Sequence, residues 1–231
     1  MSFISRRKYT LVLAESSLEL IPKELWSDPS VIKNAKRRRK KPAEILLDKS
    51  LHYHAMKNIA KREKRGRPDI VHVSLLLALN SPLNQEGMLN IYVHTLENYV
   101  ITVNPKVRIP KNYNRFVGLM EQLLKYGKVP PKSEKPLLYV KTMSLKDLIS
   151  KINPRKVILL SEKGEKIRLT DVPKIIRKGD VFIIGGFPHG DFEKETYELC
   201  DEIYSMYTKS LETWTILSHI LTVLEISNNL I

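Results

Sequence analysis

Three short segments carry side chains whose types and spacing suit chemistry on a polyanion or a small polar ligand. The first is Lys61-Arg62-Glu63-Lys64-Arg65-Gly66-Arg67-Pro68-Asp69, in which five of nine residues are basic and one is glycine. Backbone and guanidinium groups of such a stretch can approach an RNA phosphate closely. Arg67 and Asp69 can pair across the proline, which would fix the guanidinium plane for bidentate contact. The alternative is a surface loop whose charges cap the next helix, Asp69 included. The second segment, Asn104–Arg115, follows a predicted strand and precedes a predicted helix. If its backbone is helical or turn-like, Arg108, Lys111 and Arg115 share one face beside Tyr113 and Phe116. That arrangement suits phosphate contact with some stacking, although a solvated face over core aromatics fits Phe116 as well. The third is Ile184-Gly185-Gly186-Phe187-Pro188-His189-Gly190. Small residues at the end of an apolar strand let a ligand reach the backbone. It has neither the spacing of a dinucleotide fingerprint nor the lysine of a phosphate loop, and a tight turn alone would also explain it.

The charge balance bears on the same question. The chain carries a net charge of +14, and residues 1–115 hold 22 Lys/Arg against 10 Asp/Glu, whereas residues 116–231 hold 17 against 15. An excess confined to one half points to a polyanion-binding face, nucleic acid before membrane, because no amphipathic basic helix stands out. Solubility or adaptation to heat would raise charge too, but heat adaptation normally raises both signs.

The elements that must position these residues follow from apolar periodicity. Residues 9–15 (YTLVLAE) read as a buried strand with a polar end at Glu15, Ser16 and Ser17. The run Lys36-Arg37-Arg38-Arg39-Lys40-Lys41, closed by Pro42, repels itself and predicts a mobile loop or frayed helix end, either touching phosphate or merely solvated. PDIVHVSLLLALN predicts a helix with Pro68 in its first turn. Residues 88–94 and 99–103 predict strands joined by a tight turn at Glu97-Asn98, and 113–126 a helix. After the Pro-rich connector VPPKSEKP, strands and helices alternate: LLYV and SLKDLISKI, KVILL and LTDVPKIIR, DVFIIGGF and a last helix over 210–227. The class is therefore α/β, an open, mostly parallel sheet with helices on both faces.

Other chemistry finds little support. With 42% hydrophobic residues the 231-residue chain can bury a sizeable core in one large or two small domains. No apolar stretch has the length of a membrane span or a secretory signal, and Cys200 is the only cysteine. A soluble, cytoplasmic protein without disulfides or a cysteine-rich zinc site is expected. His52 and His54 are too few for a metal site. His72 and His219 lie in predicted helices and are expected to pack. No nucleophile elbow or HExxH pattern occurs.

KREKRGRPDIVHVSLLLALNSPLN (61–84), VNPKVRIPKNYNRFVGLMEQLL (103–124) and IIGGFPHGDF (183–192) resemble the ribosome-biogenesis methyltransferases that modify ring nitrogen N1 of pseudouridine, in their archaeal form. The similarity runs over residues 9–231. It implies one SPOUT-class domain, with a basic insertion over about 28–45 and a C-terminal part, about 137–231, threaded into a trefoil knot. It also implies a homodimer, S-adenosylmethionine as cofactor, and a pseudouridine-containing loop of small-subunit rRNA as substrate, with ribosomal proteins as further candidate partners. By position, Arg67 matches the arginine that contacts RNA and Asp69 the acid that steadies it. Arg108, Lys111 and Arg115 match three basic RNA contacts, where Lys111 stands for an arginine of some relatives and loses its fork. Gly185 and Gly190 match the cofactor loop; Met206, Tyr207, Thr208, Lys209, Ser210 and Leu211 match the loop that closes over the cofactor. Leu159 matches a lining position after an earlier strand.

The chemistry implied is methyl transfer to a nitrogen that must lose its proton. Arg67, held by Asp69, would stabilise negative charge on the base carbonyls. Asp69 could instead be the base, but a carboxylate paired to arginine is a weak one. The target base must leave its stack. Two rivals share the basic half: an rRNA-binding assembly factor with little or no methyl transfer, and a SPOUT enzyme acting on tRNA.

Overall fold

The computed structural model describes residues 8–231. In chain order it has β1 (Tyr9–Ser16), α1 (Pro29–Arg38), α2 (Lys49–His52), α3 (Pro68–Asn80), α4 (Pro82–Gln85), β2 (Leu89–Thr95), β3 (Tyr99–Val103), α5 (Tyr113–Tyr126) and β4 (Lys128–Val129). β5 (Leu138–Thr142), α6 (Leu145–Ile152), β6 (Val157–Lys166), α7 (Val172–Ile175), β7 (Val181–Gly185), α8 (Lys194–Glu198), β8 (Glu202–Ser205) and α9 (Thr213–Ser227) follow. The strands form one sheet of order β4-β5-β3-β2-β1-β7-β6-β8. β2, β1, β7, β6 and β8 run parallel to one another. β3, β5 and β4 form an antiparallel edge. The antiparallel edge starts at the tight turn where Asn98 takes φ 55, because a turn this short can join only antiparallel strands.

Alternation along the strands sends side chains to two helical layers. Leu11, Leu13, Ile158, Leu160, Phe182 and Ile184 enter the cluster shared with α3, α5 and α9. Val12, Ala14, Leu159, Val181 and Ile183 enter the opposite cluster, against α6. α3 and α9 are apolar on most sides and pack on each other over the first face.

Between β1 and α3 the chain builds a small subdomain on its own apolar cluster of Ile21, Leu25, Val31, Ile45, Leu47, Met56 and Ile59. The basic run lies here and departs from expectation. Lys36, Arg37 and Arg38 form the last turn of α1, which Arg39 ends at φ 53. Arg38 Nη2 (2.7 Å), Lys40 Nζ (2.6 Å) and the Leu46 amide (3.1 Å) all reach Glu121 of α5, a carboxylate buried to 2% exposure. A buried carboxylate needs such partners, so two of the run's six cations, Arg38 and Lys40, form a structural clamp at a helix end instead of a mobile loop. LTDVPKIIR gives only a 3-10 turn and the one-turn α7. β8 was not anticipated: four residues are too short for a periodic signal. No helix among the described residues is long and apolar enough to cross a membrane.

Candidate active site

The glycine segment leaves the C-terminal end of β7, between β1 and β6, and forms one wall of a cleft of about 440 Å³. Two of its glycines are required by geometry. A Cβ on Gly186 would lie 2.1 Å from Ser16 Oγ, and Gly190 takes φ +93. The Gly185 carbonyl accepts from Thr213 Oγ1 at 2.6 Å, which ties the turn to the start of α9. Of the expected lining residues, Gly185, Gly190, Met206, Tyr207, Lys209, Ser210 and Leu211 lie on the cleft. Thr208 is exposed on the crest of its loop and off the lining. Leu159 is corrected: its side chain is buried on the α6 face, and its neighbour Leu160 lines the cleft instead. A one-residue step along a strand reverses the side chain, and a short apolar run does not mark which residue faces which way.

The cleft fits a sulfonium nucleoside carrying an amino-acid tail. It offers the apolar Leu160, Ile184 and Ile216, exposed glycine backbone, and the carboxylates Glu162, Asp191 and Glu212 for positive charge. Asp191 is held below its usual range: burial opposes this, but Lys163, the Tyr197 hydroxyl and the Phe192 amide outweigh it. No metal-binding group of three or more His, Cys, Asp or Glu occurs among the described residues. Burial pushes the Cys200 thiol up to about 12, so it offers no thiolate.

Arg67 stands beside this cleft. Its Nε and Nη2 donate to Asp69 Oδ1 and Oδ2, each at 2.8 Å, as the spacing across Pro68 suggested. The hydrogen bond to Asp69 holds the guanidinium above its ordinary range, with the Glu212 carboxylate of the cleft adding to it. The Arg67 amide donates to Ser17 Oγ at 2.7 Å, and the Ser17 amide donates to the Gly186 carbonyl at 2.9 Å. Two hydrogen bonds therefore join the arginine to the glycine turn. The rest of the basic nonapeptide does not all face solvent. Lys64 is 3% exposed and bonds Glu15 (2.6 Å) and Glu193 (2.9 Å). Arg65 is buried against Glu19, its Nε donating at 2.7 Å.

The second segment runs beside α3 in the reverse direction. Asn84 Nδ2 donates to the Pro105 carbonyl (3.0 Å) at one end, and His72 Nε2 meets the Pro110 carbonyl (2.7 Å) nearer Arg67. Arg108 and Lys111 lie on this non-helical stretch and Arg115 on the first turn of α5, all exposed. They are thus strung along a path, not stacked on one helical face. The path ends in a second cleft of about 850 Å³ lined by Lys8, Lys106, Arg108 and Lys111 with no carboxylate. Phe116 belongs to the core, wholly buried and stacked on His72 at 4.3 Å. Tyr113 is half-buried and donates to Asp48 Oδ2 at 2.6 Å. His219 is exposed, contrary to the packed position expected.

The EMG1/NEP1 methyltransferase family profile matches residues 11–225. The chain belongs to this family. The ribosomal RNA small subunit methyltransferase Nep1 of Staphylothermus marinus is 56% identical over 223 residues, covering 96% of this chain and 97% of the relative. The protein of the same name from Saccharolobus solfataricus is 49% identical, covering 91% and 93%. The crystal structure of Archaeoglobus fulgidus Nep1 bound to S-adenosylhomocysteine is similar at a TM-score of 0.83 and 40% identity, covering 97% of this chain and 99% of that one. The family resemblance carried by the three sequence motifs thus extends over residues 11–225. Sequence reasoning missed Ser17, Thr213 and Glu212. The polar end of β1 was visible as a pattern, but nothing in it told where Ser17 points.

Proposed function

We propose that this chain transfers the methyl group of S-adenosylmethionine to N1 of a pseudouridine in small-subunit rRNA, in the cytoplasm and as a homodimer, and assists subunit assembly. The observation that carries the reading is the Gly186–Ser17–Arg67 hydrogen-bonded link, which puts the candidate RNA arginine at the mouth of a cleft fit for the cofactor. A. fulgidus Nep1, whose crystal structure is bound to S-adenosylhomocysteine, supports the identity of the cofactor.

When bound, the cofactor supplies an electrophilic methyl on a sulfonium. The chain supplies the rest. Gly185, Gly190, Leu160 and the 206–211 loop hold and cover it, and Glu212 offers charge to its cationic end. Arg67 donates to the base carbonyls as N1 passes its proton to solvent water, favouring the ring anion that takes the methyl. Asp69 uses both oxygens to orient Arg67, so it positions the guanidinium and is not the proton acceptor. The cationic path of Lys106, Arg108, Lys111 and Arg115 neutralises the phosphates flanking an extruded base. The C-terminal part is read as threaded into a trefoil knot, as the family resemblance implies; Thr213 ties the start of α9 to the Gly185 carbonyl. Leu77 of α3 and Ile226 of α9 are exposed apolar side chains that a second copy would cover.

The test is mass spectrometry of a pseudouridine-containing rRNA hairpin incubated with protein and S-adenosylmethionine. One added methyl on the pseudouridine is expected, and none on the uridine hairpin or a tRNA. Binding without any methyl gain would favour an assembly factor alone.

A further inference from the structure

Glu15, in the polar end of β1, has no role in the chemistry above, yet its surroundings are built with care. Glu15 holds φ 50 while 3% exposed, a conformation rare for a non-glycine residue. Its amide donates to His94 Nδ1 at 3.3 Å. Its carboxylate accepts from Lys64 Nζ (2.6 Å), Thr196 Oγ1 (2.7 Å) and the Glu193 amide (3.0 Å). Lys64 Nζ also reaches Glu193 Oε1 at 2.9 Å and stands 4.8 Å from the centre of the Phe187 ring. A Cβ on Gly190 would meet Lys64 Cε at 3.4 Å. Phe187 and Gly190 line the cofactor cleft, and Lys64 is three residues from Arg67. Two residues further on, just past β1, Ser17 bridges Gly186 to the Arg67 amide. Hence the cofactor turn touches the RNA arginine's segment twice, once through an ammonium between two carboxylates and once through a hydroxyl.

We propose that Glu15, Ser17 and Lys64 form a relay that couples occupancy of the cofactor cleft to the placement of Arg67, and are positioning residues for the methyl transfer. The proposal rests on the function proposed above. A ligand that fixes residues 185–193 fixes the partners of Lys64 and Ser17, and through them the backbone at 64–67. Packed, fully hydrogen-bonded groups transmit such a constraint because they have few alternative arrangements. Linkage makes the effect reciprocal: the factor by which S-adenosylhomocysteine tightens RNA binding equals the factor by which RNA tightens S-adenosylhomocysteine binding.

The experiment is a set of calorimetric titrations of the full chain with S-adenosylhomocysteine and with the pseudouridine hairpin, each with and without the other. In the native protein a coupling of roughly five- to twentyfold is expected, at the lower end of common values. Lys64→Met alone would strand a buried carboxylate and risks unfolding. The double variant Glu15→Gln/Lys64→Met removes both charges. It should bind each ligand singly and lose most of the coupling, with kcat falling while KM for the cofactor holds. Lys64→Arg should restore it. Hydrogen exchange of the native protein adds a readout that needs no variant: S-adenosylhomocysteine should slow the amides of residues 64–67. A folded double variant with native coupling, or no change at 64–67, overturns the relay and leaves the functional reading intact. A native chain that binds neither ligand overturns both.

Discussion

The two clefts of this chain invite comparison. The smaller, about 440 Å³, lies at the C-terminal ends of the parallel strands and carries Glu162, Asp191 and Glu212. The larger, about 850 Å³, lies toward the far end of α3 and carries Lys8, Lys106, Arg108 and Lys111. α3 spans about 20 Å from its start at Arg67 to Asn80, at about 1.5 Å per residue. The molecule thus keeps a carboxylate-bearing cleft apart from one whose charged lining is wholly cationic. At physiological salt, charges that far apart are largely screened from each other, with a Debye length of about 8 Å. Arg67, paired with Asp69, sits where the two fields meet.

This contrast predicts that substitutions sort by region. Arg67→Ala should have the largest effect, lowering methyl transfer by roughly 100-fold or more with little change in S-adenosylhomocysteine affinity. Equal losses in a transfer assay and by calorimetry would break the assignment of Arg67 to the RNA side. Gly186→Ala drives a Cβ onto Ser16 and should cost about 1–3 kcal/mol of stability, with cofactor affinity falling alongside, as thermal melts with and without S-adenosylhomocysteine would report. Arg108→Ala and Arg115→Ala should weaken uridine and pseudouridine hairpins alike and lower the salt slope by about one each, leaving cofactor binding unchanged. A cofactor defect in either would mean that the two regions are not separate. Lys111→Arg should tighten RNA binding by a few-fold at most, since it adds a fork without adding charge.

The pH dependence sharpens the picture at the boundary. Burial holds His94 and His52 below the ordinary histidine value of 6.5. Both are therefore neutral in the fold, while the unfolded chain takes up protons near pH 6.5. Their contribution to stability is full above that pH and is lost as pH falls through it. Melting temperatures measured from about pH 8 downward should stay level and then drop below that point, and replacing His94 with Asn should flatten the drop. A melting temperature that rises on acidification would count against neutral histidines on β2 and in α2.

The legible parts of the sequence were those with local causes. Period-two and period-3.6 patterns gave β1, α3, the hairpin, α5, β7 and α9, since each buries an apolar face written in consecutive residues. The Arg67–Asp69 pair was legible because only Pro68 separates the partners. Gly185 and Gly190 were legible because backbone access needs small residues in one turn. The errors share a different cause. Arg38 and Lys40 read as free cations because their partner, Glu121, is more than 80 residues away. Lys64 and Arg65 read as surface charges for the same reason, their carboxylates lying on β1, on the segment just after it and beyond the glycine turn.

The sequence by itself determined the class of sheet and the asymmetric charge, because composition and short-range spacing encode these directly; the family came from the resemblance of three motifs. Only the tertiary structure decided which cations are free for RNA and which neutralise buried carboxylates. It alone placed Leu160 and not Leu159 on the cleft, and brought Gly186, Ser17 and Arg67 within two hydrogen bonds. The reason is that an ion pair or a strand's facing is fixed by what lies opposite in space, and the chain carries no local mark of a partner 50 or 129 residues away.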